Sequence, residues 1–138
     1  SVKQLASDSI VIIGYVKDLG EIYGKARVFV APIRFGAGSM WKVTEAMSHG
    51  LPCVLSAVAA EGLDITDQEE ALIAHDENEF VEKTAQLYQD KALWAQVRER
   101  ELQYVAENCD PRVIEKNLDQ FLKRVSRPTS GNLTESTA

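Results

Sequence analysis

The sequence predicts an α/β fold in which a Rossmann-like parallel sheet is followed by a set of helices. Short continuous apolar runs, typical of strands buried on both faces, alternate with segments of helical periodicity. A chain of 138 residues, 45% of them hydrophobic, is also the size of one domain with its own core. The predicted strands are residues 10–13, 28–31, 52–56 and 71–74.

The first half of the chain places short helices and loops between these strands. A helix is expected over 18–26, since Asp18 can cap it. Ser39 can cap a second helix over 40–49, which Gly50 ends. Small residues over 57–63 predict a loop.

Three helices are expected after the fourth strand, over about 77–89, 90–107 and 110–125. The last begins with Asp110-Pro111, a capping residue followed by proline at the first helical position. Residues 126–138 are rich in Ser, Thr, Gly and Pro and are expected to be a disordered tail. We therefore expect one domain over 1–125.

Composition excludes several classes of function. The net charge of −6 disfavours general binding to nucleic acid or to anionic membranes. Two cysteines are too few for a disulfide scaffold, and no apolar run is long enough for a transmembrane segment. No signal-peptide pattern opens the chain, and a cytoplasmic location is expected. The chain begins at Ser1 rather than Met, which suggests a fragment of a longer protein.

Charge is distributed unevenly. Residues 1–60 hold six basic and four acidic side chains, whereas the remainder is strongly acidic. A local basic excess suggests a small anionic ligand in the first half, although chance explains the asymmetry equally well.

A glycine-containing loop connects the second predicted strand to the second predicted helix. Gly36-Ala37-Gly38 would let a ligand approach the backbone, and the helix N-terminus offers free N–H groups for an anion. The loop lacks the Gly-Lys-Ser/Thr end of a P-loop and the third glycine of the dinucleotide fingerprint. A phosphate site and a structural turn both remain open from this loop alone.

Charged side chains near the loop favour the anion site. Arg34 precedes the glycines, and Lys42 occupies the first helical turn, where a cation opposes the helix dipole. Lys42 and Glu45 share one helix face, so a surface ion pair worth less than about 1 kcal/mol is the alternative. His49 lies on the same face near the helix end, where a capping role is expected.

Several short motifs follow one another in a specific order. This order and spacing resemble the C-terminal, nucleotide-sugar-binding domain of retaining glycosyltransferases of the GT-B architecture (group 1, or family 4) over about residues 10–125. The motifs are Gly14-Tyr15-Val16, Asp18-Leu19, Val28-Phe29-Val30-Ala31-Pro32, Arg34-Phe35-Gly36-Ala37-Gly38, Lys42-Val43-x-Glu45-Ala46-Met47, Gly50-Leu51-Pro52-Cys53-Val54 and Ala60-Glu61-Gly62-Leu63.

The resemblance implies roles for particular residues. Glu45 matches the second Glu of the family's Glu-seven-residues-Glu motif, which binds the ribose hydroxyls. Arg34 and Lys42 would face the diphosphate as catalytic cations. The Tyr15-Val16 segment would hold the base.

The first Glu of that family motif is absent, because its position is occupied by Ala37. Recognition of the sugar hydroxyls would then fall to the backbone of Gly36, Ala37, Gly38 and Ser39.

The resemblance implies transfer of a hexose-like sugar, with retention, from a UDP- or GDP-sugar to a glycan or lipid-linked acceptor, in bacterial polysaccharide assembly. No metal and no further cofactor are expected. A GT-B-type nucleotide-sugar epimerase and a non-catalytic nucleotide-binding α/β module are the alternatives.

The resemblance also implies missing parts. The acceptor would bind an N-terminal domain that this sequence lacks, and any peripheral membrane contact would come through that domain. In the family's strand order, 3-2-1-4-5-6, the strands at 10–13 and 28–31 would be third and fourth and would not be neighbours. The chain alone is therefore expected to be catalytically incomplete.

Overall fold

The computed structural model describes residues 2–35, 41–63, 65–67 and 71–125. Its centre is a three-stranded parallel sheet with the strand order β1-β2-β3. Phe29 pairs with Cys53 across the first strand pair, and Val54 pairs with Leu72 across the second. The strands are β1 (Phe29–Ala31), β2 (Cys53–Ser56) and β3 (Leu72–Ala74).

Helices follow each strand, as parallel connections require. The predicted α/β, Rossmann-like class is confirmed, and three consecutive helices end the described chain as expected. The helices are α1 (Gly20–Tyr23), α2 (Trp41–Ser48), α3 (Ala57–Ala60), α4 (Glu77–Gln89), α5 (Lys91–Asn108) and α6 (Pro111–Val125), with one 3₁₀ turn at Val2–Leu5.

Two apolar clusters form the core, one on each face of the sheet. Successive side chains of a strand point to opposite faces, so Cys53 and Leu55 join the cluster that contains Met47 of α2. Val54, between them, joins the cluster that contains Leu87 of α4. All of β2 except its last residue is buried, which explains its continuous apolar sequence.

Helix α2 ends just before Gly50, as predicted. Gly50 has a φ of +67°, a conformation that side chains with a Cβ rarely adopt. Its N–H donates to the Met47 carbonyl at 2.8 Å, and the Leu51 N–H donates to the Ala46 carbonyl at 3.1 Å. These two bonds form a Schellman motif, which satisfies the last carbonyls of the helix.

The predicted strand at 10–13 is wrong. Ile10 forms only an isolated antiparallel bridge with Ser7. Val11 is 77% exposed and Ile13 is 62% exposed, and the segment pairs with no strand in the described part of the chain. An apolar run becomes a buried strand only where neighbouring strands satisfy its backbone groups.

Two further elements differ from prediction. The segment predicted as a loop over 57–63 begins with helix α3, because Ser56 Oγ accepts a hydrogen bond from the Ala59 N–H and caps it. The helix predicted over 18–26 is one turn long, although Asp18 Oδ1 does accept from the Gly20 N–H at 2.8 Å near its start. The predicted cap at Ser39 and the predicted tail at 126–138 lie outside the described residues.

Candidate functional site

A cavity of about 460 Å³ lies at the carboxyl ends of all three strands. Ligands of open α/β sheets bind at this edge. Most of its lining is apolar, with a few polar side chains, which is the usual composition of a small-molecule site. The lining residues are Pro32, Ile33 and Arg34 after β1, Ser56, Ala57 and Val58 at the end of β2, Ala74, His75 and Asp76 after β3, and Glu77, Phe80 and Val81 of α4.

Arg34 and Glu77 form an ion pair at this cavity. Both side chains remain largely accessible, with 72% and 83% of their surfaces exposed. The pair therefore leaves most of each charged group free to meet a ligand.

Ser56, the last residue of β2, lines the cavity and connects the ends of β1 and β2 by a hydrogen bond. Its hydroxyl donates to the Ile33 carbonyl at 2.7 Å and accepts from the Ala59 N–H at 3.3 Å. One side chain thus holds the segment before Arg34 and starts helix α3.

The first turn of α4, which carries Glu77, is held by local hydrogen bonds. Asp76 Oδ1 accepts from the Glu79 N–H at 2.9 Å, and Glu79 Oε2 accepts from the His75 N–H at 2.8 Å. The His75 N–H and Lys83 lower the pKa of Glu79. This reciprocal arrangement resembles a capping box and orients the helix start.

Lys83, Asp67 and Glu79 form a half-buried ionic cluster next to β3. Lys83 Nζ donates to Asp67 Oδ2 at 2.7 Å and contacts Glu79 Oε1 at 2.9 Å. Asp67 Oδ1 accepts from the Ile73 N–H at 2.7 Å. Burial opposes the charge on Lys83, but its hydrogen bonds to the two carboxylates outweigh burial and raise its pKa.

Lys42 lies elsewhere, in a second hollow of about 370 Å³ between α1 and β1. It is exposed and forms no ion pair with any residue that the structure describes, Glu45 included. The alternative that Lys42 serves as a surface partner of Glu45 is therefore not seen.

Glu45 lies next to the same hollow, because it forms a hydrogen bond with Tyr23, which lines it. Glu45 Oε2 accepts from the Tyr23 hydroxyl at 3.4 Å, and Tyr23 is 7% exposed. Burial and the Glu45 carboxylate together raise the pKa of Tyr23. His49 Nδ1 lies 2.9 Å from the Glu45 carbonyl, at the helix end where the sequence indicated a capping role.

The structure thus divides the predicted site residues. Arg34 lines the cavity at the strand ends, whereas Lys42 lines the hollow beside α1 and Glu45 hydrogen-bonds to Tyr23 of that hollow. Tyr15 is 93% exposed and Val16 is half-buried, and neither lines these cavities.

Gly36, Ala37, Gly38 and Ser39 lie outside the described residues. In the sequence, Arg34 therefore precedes this segment, and Lys42 and Glu45 follow it.

Sequence reasoning missed three cavity residues, Ser56, His75 and Glu77. Each lies at or just beyond the end of β2 or β3. The signal that indicates them is their place at or shortly after the end of a predicted strand, since ligands bind at the carboxyl ends of parallel strands.

Within the described ranges, no helix is long and apolar enough to cross a membrane. The same residues contain no group of three or more His, Cys, Asp or Glu side chains arranged to hold a metal ion.

Comparison with known proteins supplies the family. The family model described as "Glycosyl transferases group 1" matches residues 1–90, a range that contains all three strands and every residue lining the strand-end cavity. A search among curated proteins found no match. Since the matched range is well over half of the chain and folds into the expected α/β sheet, the protein belongs to the group 1 glycosyltransferases.

Proposed function

We propose that the chain is the donor-binding portion of a retaining hexosyltransferase and binds a UDP- or GDP-sugar at the carboxyl edge of its sheet. The observation that carries the proposal is the strand-end cavity with the Arg34 guanidinium on its lining, immediately before the glycine loop. The acceptor in this proposal is a glycan or a lipid-linked sugar.

The charges suit the chemistry of such a transfer. Breaking a glycosyl-phosphate bond leaves negative charge on the nucleoside diphosphate, and cations placed there stabilise the transition state more than the ground state. Arg34 and Lys42 stand on either side of the glycine loop in the sequence. Both side chains are exposed, so each is accessible to a bound anion. No metal ion is required in this scheme.

Glu45 is suited to bind the ribose. A carboxylate offers about four lone-pair sites, and the Tyr23 hydroxyl uses one of them at Glu45. The remaining sites can accept hydrogen bonds from two neighbouring hydroxyls. The exposed Tyr15 ring, with Val16 beside it, offers an apolar surface for the base.

Calorimetric titration of the whole chain with UDP, GDP, UDP-glucose and GDP-mannose tests the proposal. One nucleotide series should bind, and EDTA should leave the affinity unchanged. Arg34→Ala and Lys42→Ala should each weaken binding by about tenfold or more, because each removes a charge-assisted hydrogen bond.

Lys91→Ala is the matched control, since Lys91 is exposed on α5 and lines neither cavity. It should bind like the unaltered chain. Absence of binding to all four nucleotides would overturn the proposal, and equal affinity in all three variants would remove Arg34 and Lys42 from the site.

A further inference from the structure

The strand-end cavity contains two carboxylates on its lining, Asp76 and Glu77, among the residues that the structure describes. Asp76 is occupied as the cap of α4, since its Oδ1 accepts from the Glu79 N–H. Glu77 has no such role in the helix, and its side chain is 83% exposed. Its carboxylate is therefore accessible to a ligand and takes no part in capping the helix.

Arg34 holds this carboxylate in place. The ion pair connects a residue after β1 with the first turn of α4, 43 positions away in the sequence. A guanidinium contact favours one orientation of a carboxylate. Arg34 contacts Oε1 of Glu77, and a carboxylate has further acceptor sites for a ligand.

The rest of the lining suits a sugar ring. Phe80 and Val58 provide apolar surface, and the Ser56 and His75 side chains lie on the same lining. A hexose presents C–H groups on its ring faces and hydroxyl donors around its rim. Apolar walls with a few placed acceptors match that pattern.

We propose that Glu77 is a specificity-determining residue that accepts hydrogen bonds from hydroxyl groups of the donor sugar, with Arg34 as its positioning partner. This inference rests on the proposed function, because it assigns the sugar of the same nucleotide-sugar. The glycine loop has no carboxylate of its own, since residues 36–39 are Gly, Ala, Gly and Ser, so Glu77 would supply one from a different element.

The test compares two affinities in each variant of the whole chain. Isothermal titration gives the dissociation constants for the nucleotide-sugar (UDP-glucose or GDP-mannose) and for the matching sugar-free diphosphate (UDP or GDP). Glu77→Gln should weaken nucleotide-sugar binding by about tenfold, while binding of the sugar-free diphosphate stays unchanged or strengthens, because Arg34 is released.

Glu82→Gln is the matched control. It removes the same charge from an exposed position of α4 that does not line the cavity. Its ratio of the two affinities should equal that of the unaltered chain, and circular dichroism should show the same helix content in both variants.

The outcomes separate the two proposals. If the unaltered chain binds none of the probes, the proposed function fails and the role of Glu77 fails with it. If the unaltered chain prefers the nucleotide-sugar and Glu77→Gln keeps that preference, only the role of Glu77 is overturned. Equal weakening of both ligands in Glu77→Gln would also overturn it, because a sugar contact cannot affect the sugar-free diphosphate.

Discussion

Glu101 is a carboxylic acid enclosed in the core between α5 and the start of β2. It is completely buried, and its Oε1 accepts from the Cys53 N–H at 2.8 Å. Its Oε2 has no hydrogen-bond partner among the described residues. Arg98, one turn earlier on α5, donates instead to the Gly50 carbonyl. An unpaired charge at this position is unfavourable, so burial raises the pKa of Glu101 to about 8.

This pKa predicts how stability depends on pH. Because the folded chain holds the Glu101 proton more tightly than the unfolded chain, the contribution of Glu101 to stability is fully present below about pH 4.5 and is lost as pH rises to about 8. The loss is on the order of 5 kcal/mol, since the pKa rises from 4.5 to about 8 and a tenfold change in proton affinity corresponds to about 1.4 kcal/mol. Glu101→Gln should remove this contribution while keeping the acceptor for Cys53, which urea denaturation at several pH values measures.

Glu99→Gln is the control, because Glu99 is exposed on the same helix. It should retain the pH dependence of the unaltered chain. If Glu101→Gln retained it as well, the assignment of a neutral Glu101 would be wrong.

Single-residue roles were predictable only where they depend on near neighbours. Gly50 as a helix end follows from its own sequence context, and the structure confirms it through a positive φ. Glu101 was not predictable, since the Cys53 N–H that it accepts from is 48 positions away. The contact of Glu77 with Arg34 was not predictable for the same reason, since 43 positions separate the two residues.

At the scale of elements, Asp90 controls the junction of α4 and α5. Its Oδ1 accepts from the Ala92 N–H at 2.9 Å and from the Leu93 N–H at 3.0 Å. Its own N–H donates to the Gln86 carbonyl, and its extended backbone conformation (φ −88°, ψ 105°) ends α4. One residue thus separates two helices that would otherwise run together.

Asp90→Ala should destabilise the chain by about 1 kcal/mol, because two N–H groups of the first turn lose their acceptor. Asp90→Asn should lose less, since its amide oxygen can still accept. Asp119→Ala serves as the comparison, because Asp119 makes only an exposed pair with Lys123 within α6. Thermal unfolding that showed equal losses for Asp90→Ala and Asp119→Ala would contradict the capping role.

Elements with local signals were predictable within a residue or two. The helix predicted over 77–89 coincides with α4, whose cap at Asp76 is a local feature. The predicted strand at 10–13 failed although its composition resembles that of β1 and β2, because pairing depends on which strands lie beside it. Part of the segment predicted as a loop is helix α3, which Ser56 caps.

For the whole molecule, apolar residues divide into those that form the core and those that remain exposed. Leu87 of α4 is completely buried, whereas Leu118 of α6 is 55% exposed. Helix α6 carries a continuous apolar stripe whose members are all at least half exposed: Ile114, Leu118, Phe121, Leu122 and Val125. Helices α4 and α6 both carry apolar residues at helical spacing, and this spacing does not show which of the two stripes is covered.

A leucine-to-alanine substitution in each helix compares how much the two stripes contribute to stability. Leu87→Ala should cost about 2–5 kcal/mol of stability, because it leaves a cavity in the core. Leu118→Ala should change stability by less than about 0.5 kcal/mol. Urea denaturation of the two variants measures both values. A loss of 2 kcal/mol or more in Leu118→Ala would show that the α6 stripe is covered in solution.

The sequence alone determined the α/β class, the order of the elements after residue 28 apart from α3, and the resemblance to a glycosyltransferase family. These depend on periodicity, caps and motif order, which are local properties of the chain. Only the tertiary structure decided that 10–13 stays unpaired, that Glu77 meets Arg34 at the strand-end cavity and that Lys42 lies in a separate hollow. Each of these depends on which distant segments the folded chain brings together, and residue patterns within one segment do not specify that.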